Sequence, residues 1–277
     1  MKINEISAKQ ILVKSNLPAS DYVANPYTGC SHQCRYCYAS FMKRFSGHSE
    51  EWGTFLDVKN YESDKLPKKL ENKTILLSSV TDPYQGCEIT YHKSREILEL
   101  LQNTEADIEI LSKSDLMLKD LELLKSIKRL KVGISLCTLD DSFRKIIEPF
   151  APSVQRRLNA LKTLHENGIS TYLFISPIFP YLTDISALVQ AADGSADKIG
   201  FENLNLRRTA KTQVLDLIKQ HYPQYSAGYE QIYLRKDASY WKILEEEIQK
   251  LSENYPIPFE NYFYHEKIRK NGGQKHD

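Results

Sequence analysis

Three cysteines that lie in one short loop are the residues of this chain best suited to chemistry. Within residues 25–39, Cys30, Cys34 and Cys37 follow one another with the spacing C-x3-C-x2-C. Cysteine thiolates are the usual protein ligands of a [4Fe-4S] cluster, and a full set would be four. Three cysteines leave one iron open, and an open position on a metal is typical of catalytic sites. The spacing therefore predicts a cluster whose fourth iron binds a substrate or a cofactor.

A structural zinc site is the main alternative for the same cysteines. His32 or His48 would complete a Cys3His set, which is a common set of zinc ligands. Structural zinc sites normally draw on two close pairs of ligands, and no second pair follows this loop in the sequence. The spacing favours the iron–sulfur interpretation, and we interpret His48 as a surface or hydrogen-bonded histidine.

Length and composition indicate the class of protein. The chain has 277 residues, of which 41% are hydrophobic and 26% charged, as expected for one large α/β domain or two small ones. The formal net charge is +1, so no overall field attracts nucleic acid or a membrane surface. The N-terminus lacks an apolar signal segment, and no run of about 18 apolar residues predicts a transmembrane helix. Five cysteines, three of them in one loop, argue against a disulfide framework and for a reducing cytoplasm.

Apolar runs alternate with helical patterns along most of the chain. Residues 74–80 are largely apolar, which is typical of a strand buried on both faces of a parallel sheet. An apolar stripe between Ser153 and Gly168 predicts a helix that the first residue caps and the second ends. Alternating strands and helices give βα units and a parallel sheet. Strands are predicted at residues 22–25, 74–80, 107–111, 131–136, 169–176 and 198–206, with a short one at 9–13, and helices at 36–45, 93–102, 116–127, 154–167, 182–192, 210–221 and 240–251.

Tyr36, immediately before the third cysteine, completes the pattern C-x3-C-x-aromatic-C. With this pattern the chain resembles the radical SAM superfamily. The resemblance implies that the amino and carboxylate groups of S-adenosylmethionine chelate the open iron. One electron from the cluster then cleaves this cofactor to methionine and a 5′-deoxyadenosyl radical, which abstracts hydrogen from a substrate. A flavodoxin- or ferredoxin-like donor supplies the electron.

Further segments resemble the spore photoproduct lyase-like group of that superfamily. In that group, the lysine and serine that match Lys113 and Ser135 hold the methionine part of S-adenosylmethionine, and an ammonium opposite a carboxylate is sound chemistry. Thr81 and Asp82 stand where many members have a Gly-Gly-Glu stretch, so Asp82 is expected to accept from the amino group. The matching segments are the cluster loop and residues 112–114, 134–136, 148–153 and 174–178.

The same resemblance implies a fold: an open partial TIM barrel, (β/α)6, with the cluster at its mouth. Residues 1–206 would form the barrel core with an N-terminal segment. Residues 207–277 would form a C-terminal helical extension, packed on the barrel within a single structural domain. Functional groups of parallel α/β barrels lie where strands end, and polar residues recur at each predicted strand end of this sequence.

The two remaining cysteines are candidates for hydrogen-atom transfer. Photoproduct lyases carry a donor cysteine just before the Ser-Asp or Thr-Asp pair, where this chain has Ser79. Cys137 shares a strand face with Ser135, so it is expected either to donate or relay hydrogen near the cofactor or to be a buried core residue. Cys87 lies in a glycine-containing loop near the expected mouth.

No motif identifies the substrate, and three functions stay open. The first is a radical SAM enzyme similar to the radical SAM mobile pair proteins, which implies a second radical SAM protein as a partner. The second is a nucleic-acid repair or modification enzyme of lyase type, which short basic runs permit. The third is a non-catalytic, metal-stabilised binding protein. The basic runs are Lys43-Arg44, Arg207-Arg208-Lys211 and Arg269-Lys270.

Overall fold

Two β-sheets form the framework of the protein. A computed structural model describes residues 1–206 and 208–264. The strands in these ranges are β1 (Lys2–Ala8), β2 (Val13–Lys14), β3 (Tyr22–Ala24), β4 (Tyr27–Thr28), β5 (Phe55–Tyr61), β6 (Thr74–Leu77), β7 (Asp107–Ser112), β8 (Leu130–Ser135), β9 (Ser170–Ile178), β10 (Lys198–Asn203) and β11 (Phe259–Asn261).

The larger sheet confirms the predicted α/β fold. Its order is β11-β10-β9-β8-β7-β6-β3-β2, and β3, β6, β7, β8, β9 and β10 run parallel in chain order. Five of the six residues of β8 are buried and only Lys131 is exposed, as expected for a strand covered on both faces. Among the described residues the edge strands β2 and β11 do not pair with each other, so the barrel is open.

Helices connect the parallel strands. The α-helices are α1 (Glu88–Tyr91), α2 (Lys93–Leu101), α3 (Leu121–Ser126), α4 (Asp141–Ile147), α5 (Val154–Glu166), α6 (Ile185–Ala192), α7 (Arg208–His221), α8 (Ser226–Tyr233) and α9 (Ser239–Ser252), and 3-10 helices span Tyr38–Phe45, Leu116–Asp120 and Pro223–Tyr225. The predicted helix between Ser153 and Gly168 is α5, which packs on β8 and β9. Its first turn is capped by the Ser153 hydroxyl, and Gly168 follows its end at φ +76°.

The connection between β3 and β6 differs most from the prediction. It contains the cluster loop, the 3-10 helix Tyr38–Phe45, and strands β4 and β5, which join β1 in a small sheet of order β1-β5-β4. The helix begins at Tyr38 because Cys37 still has an extended backbone, with ψ 113°. Asp57 and Lys59 interrupt the apolar pattern of β5, which explains why this strand was missed. The strand predicted at residues 9–13 was wrong except at Val13, where β2 begins.

The C-terminal extension adds a strand as well as helices. After α7, α8 and α9, strand β11 pairs in parallel with β10, with Phe259 opposite Ile199. The extension is therefore part of the main sheet, and the predicted boundary after residue 206 stays a prediction. Of the basic runs, Arg207, Arg269 and Lys270 lie outside the described residues. None of the helices in residues 1–206 and 208–264 is long and apolar enough to cross a membrane.

Candidate active site

The cluster loop leaves β4 through a glycine that no other residue can replace without strain. Gly29 has φ +97°, in the left-handed region that favours glycine. A Cβ atom at this position would lie 2.4 Å from the carbonyl oxygen of Phe55 on β5. The backbone of β5 therefore occupies the space that a side chain at position 29 would need.

Two side chains from the segment after β6 hold the backbone of the loop. The amide of Gln85 accepts from the Ser31 N–H at 2.7 Å and donates to the Gly29 carbonyl at 3.3 Å and to the Thr81 hydroxyl at 2.9 Å. Thr81 in turn donates to the Gly29 carbonyl at 2.5 Å. Gln85 is fully buried, and sequence reasoning missed it because it belongs to no recognised motif. Thr81 thus donates its hydroxyl proton to the cluster loop. The predicted contact of Thr81 with a cofactor stays a prediction.

The three cysteines of the loop are free and, taken as whole residues, half-buried. Burial raises the pKa of Cys30 well above its usual value, with Asp82 and the other two thiols adding to the rise. Burial also raises the pKa of Cys34 to about 12, although the Lys113 ammonium offsets part of this. The protein alone therefore favours neutral thiols. A bound metal would supply the positive charge that makes them thiolates.

This donor set fits an iron–sulfur cluster better than a single zinc ion. One zinc ion needs its ligands to converge on one point, and no three His, Cys, Asp or Glu side chains in the described part of the chain do so. In a cluster each thiolate binds a different iron, so the three thiols need only face one cube of atoms and need not meet at a single metal ion. His48 uses both ring nitrogens elsewhere, at 2.8 Å from Asp57 and 3.1 Å from Glu50. His48 is therefore a hydrogen-bonded histidine, as the sequence predicts.

Asp82 joins the cluster loop to the end of β7. Its carboxylate accepts from the Ser112 hydroxyl at 2.6 Å and from the backbone N–H groups of Lys113 and Tyr84 at 2.8 and 2.9 Å. Nε2 of His32 lies 3.2 Å from the same carboxylate, at an angle outside hydrogen-bond geometry, and Nδ1 of His32 has no hydrogen-bond partner among the described residues. Burial raises the pKa of Asp82, but these neighbours outweigh burial and hold the pKa below its usual range. Both carboxylate oxygens of Asp82 therefore already accept hydrogen bonds from the protein. The predicted contact of Asp82 with the amino group of S-adenosylmethionine stays a prediction.

Lys113, Ser135 and Tyr36 come together as the sequence predicts. The Lys113 ammonium donates to the Ser135 hydroxyl at 3.0 Å and lies 5.9 Å from the centre of the Tyr36 ring. The Ser135 hydroxyl donates to the Ser176 carbonyl at 3.1 Å. Burial lowers the pKa of Lys113, but the negative charge of Glu148 is the main effect that outweighs burial and raises it. Lys113 therefore stays a cation, and no carboxylate in the described residues lies within 4.0 Å of its ammonium.

A buried ion pair lies behind this cation. Glu148 and Arg157 are both fully buried, with 2.5 Å between carboxylate and guanidinium. The Tyr36 hydroxyl donates to Glu148, and Arg157 also donates to the Ser135 carbonyl at 3.1 Å. The pair therefore links the aromatic residue of the cysteine motif to the end of β8. Sequence reasoning noted residues 148–153 as a matching segment but assigned no role to Glu148.

Cys137 and Cys87 occupy different places. Cys137 is fully buried in the main core, and its thiol donates to Glu148 at 3.8 Å. Cys87 packs against a separate small core on the other sheet, formed by Tyr27, Leu56 and Val58. Burial raises its pKa to about 12, so both cysteines are neutral thiols at pH 7. Their predicted roles in hydrogen transfer stay predictions.

The part of the chain that carries the loop and the parallel strands matches a known family model. The model describes the radical SAM superfamily and covers residues 24–189, more than half of the chain. This chain belongs to the radical SAM superfamily. An uncharacterized protein of Methanocaldococcus jannaschii is 37% identical over 224 residues, which cover 81% of this chain and 85% of that protein. The prediction of the family is confirmed.

Solved structures of radical SAM proteins share the fold. Spore photoproduct lyase complexed with dinucleoside spore photoproduct has a TM-score of 0.64 at 16% identity, covering 94% of this chain and 82% of that chain. Streptococcus suis SuiB bound to S-adenosylmethionine has a TM-score of 0.52 at 14% identity, covering 86% and 49%. These structures support the predicted partial-barrel fold. Membership of the radical SAM superfamily makes this protein an enzyme whose cofactors are a [4Fe-4S] cluster and S-adenosylmethionine.

Proposed function

We propose that Cys30, Cys34 and Cys37 hold the cluster, and that the side chains beside them at the ends of β7 and β8 bind S-adenosylmethionine for hydrogen abstraction from a substrate. With both cofactors bound, reductive cleavage of S-adenosylmethionine supplies the 5′-deoxyadenosyl radical. The observation that supports this most is the Lys113 ammonium, which lies beside the aromatic residue of the cysteine motif and has no carboxylate of residues 1–206 and 208–264 within 4.0 Å.

Lys113 suits the carboxylate of the cofactor. A buried cation is stable when it is paired with an anion, and a charge-assisted hydrogen bond is stronger than a neutral one. Ser135 holds the ammonium in place, and the Ser176 carbonyl fixes the direction of the Ser135 hydroxyl. Thr81 and Asp82 complete the proposed binding site from the segment that follows the neighbouring strand β6, where their hydrogen bonds hold the cluster loop and the Lys113 backbone in place.

Replacing Lys113 with alanine is expected to weaken binding of S-adenosylmethionine to the reconstituted protein. Loss of one charge-assisted hydrogen bond costs about 1.5–3 kcal/mol, or roughly a 10- to 150-fold rise in dissociation constant. Anaerobic calorimetric titration measures this rise. Lys198→Ala is a matched control, because Lys198 also lies over a tyrosine ring, at 4.9 Å, but at the opposite end of the sheet where β10 begins. Equal affinities of wild type and Lys113→Ala would remove Lys113 from the site.

The substrate, electron donor and partner belong to the proposal as well. The reaction needs one electron, for which a flavodoxin- or ferredoxin-like donor is suitable, and a second radical SAM protein is a candidate partner. Five free cysteines suit a reducing compartment such as the cytoplasm.

Hydrogen abstraction requires that a C–H bond of the substrate lie next to the bound S-adenosylmethionine. The position of Cys137 favours a role in core packing over a role as hydrogen-atom relay, because its thiol is fully buried and bonded to Glu148.

A nucleic-acid substrate is the second candidate, and one exposed surface favours it. Tyr38 and Phe45, on the 3-10 helix that follows Cys37, are 57% and 66% exposed. The Arg44 guanidinium lies 4.5 Å from the ring centre of Phe45 and 5.6 Å from that of Phe41. Exposed aromatic rings next to cations are typical of surfaces that stack single-stranded bases. Salt-dependent binding of single-stranded oligonucleotides to the purified protein would support this candidate, and its absence would remove it.

A further inference from the structure

We propose that Glu148 is a positioning residue that holds Tyr36 of the cluster loop and whose negative charge makes the reduction potential of the cluster more negative. The inference rests on the proposed function, because it requires a cluster bound by the three cysteines of the loop. It assigns a role to a buried acid that none of the cysteine, lysine or serine motifs contains.

Residues around Glu148 form the wall on which the cluster loop rests. The Tyr36 hydroxyl donates to the Glu148 carboxylate, and Tyr36 lies between Cys34 and Cys37 in the chain. One residue earlier, the Ile147 carbonyl accepts from the backbone N–H of Arg35 at 2.9 Å. Glu148 is thus held against the loop by its own side chain and by its neighbour's backbone.

The charge of Glu148 lies where water cannot screen it. The side chain is fully buried, and its pKa is below the usual range because Arg157 and Lys113 outweigh the effect of burial, so it carries a negative charge. Electrostatic interactions are stronger in such surroundings than in water.

A negative charge beside the ligands opposes reduction of the cluster. Reduction adds one electron, and a fixed anion raises the free energy of the more negative state. Cluster potentials depend on net charge, hydrogen bonds to sulfur and solvent exposure. The Arg157 guanidinium acts in the opposite direction, but of the two groups Glu148 is the one that bonds to a residue of the cluster loop, while Arg157 bonds to Glu148 and to the Ser135 carbonyl. The pair therefore has a net effect toward a lower potential.

Potentiometric titration of the reconstituted protein without S-adenosylmethionine, followed by electron paramagnetic resonance, tests the proposal. Glu148→Gln is expected to move the potential to less negative values, and Arg157→Met to more negative values. Glu109→Gln is a matched control, since Tyr172 donates to Glu109 at 2.7 Å in the same sheet. Its potential should equal that of wild type, because it lies on β7 before the end of the strand.

A double variant keeps the test decisive if a single substitution prevents folding. Glu148→Gln/Arg157→Met removes both buried charges together, so no charge is left unpaired. The reduction potential of the double variant is expected to lie between that of wild type and the less negative potential of Glu148→Gln. An unchanged or more negative potential in the double variant would overturn the proposal while leaving the proposed function intact. Failure of the wild type to assemble a four-iron cluster would instead contradict the proposed function itself.

Discussion

Alanine at Cys30, Cys34 or Cys37 is expected to abolish the cluster. In the proposed cluster each of the three cysteines is one of three protein ligands and binds a different iron, so no neighbouring thiol can replace it. Wild type purified and reconstituted without oxygen should hold about four irons per chain. Each single variant should hold close to none. Iron and sulfide assays, together with the visible absorption of the cluster, measure the loss.

The two cysteines outside the loop provide the control for this experiment. Cys87 and Cys137 lie in two separate cores, so Cys87→Ala and Cys137→Ala should retain the full iron content. Loss of iron in either control with normal folding would mean that the ligand set is wrong. Zinc in place of iron after anaerobic expression would contradict the catalytic interpretation.

Replacing Arg157 with methionine is expected to destabilise the protein strongly. The substitution leaves the Glu148 carboxylate buried without its closest cation, which lies at 2.5 Å in the native protein. Removing one partner of a buried pair costs about 3–5 kcal/mol of unfolding free energy. Urea unfolding of the cluster-free protein, followed by circular dichroism, measures this cost at pH 7.

Two further variants show whether the loss comes from the unpaired charge. Glu148→Gln/Arg157→Met has no charge left unpaired and should recover most of the lost stability. Arg129→Met breaks a surface pair with Asp107, in which the two side chains are 40% and 48% exposed, and should cost much less stability than loss of the buried pair. If Arg157→Met were no more destabilising than Arg129→Met, the buried pair would contribute no more to the free energy of unfolding than a surface pair does.

The parallel sheet could be predicted from the sequence because its strands are covered on both faces. Strands of this kind appear as apolar runs, and β8 retains that pattern with Lys131 as its only exposed residue. The ligand spacing was equally informative, since one short loop supplies all three thiols. Lys113 and Ser135 could be placed because both lie at the ends of adjacent parallel strands, where side chains face a common edge.

The remaining features depend on contacts between distant parts of the chain. Tyr36 and Glu148 are 112 residues apart, and no local pattern shows that a buried carboxylate would bind the aromatic residue of the motif. Gln85 bonds to a loop more than 50 residues earlier, for the same reason. Cys87 follows a parallel strand and is predicted near the mouth, but its packing against the small sheet could not be predicted because strand β5 is not evident in the sequence.

Formation of 5′-deoxyadenosine tests the central claim most directly. The reconstituted protein is incubated with S-adenosylmethionine and a strong chemical reductant in the absence of oxygen, and the products are quantified by liquid chromatography with mass spectrometry. Wild type should release 5′-deoxyadenosine and methionine in equal amounts, and Cys34→Ala should release neither. A wild-type protein that holds four irons and binds S-adenosylmethionine but forms no 5′-deoxyadenosine under these conditions would contradict the account.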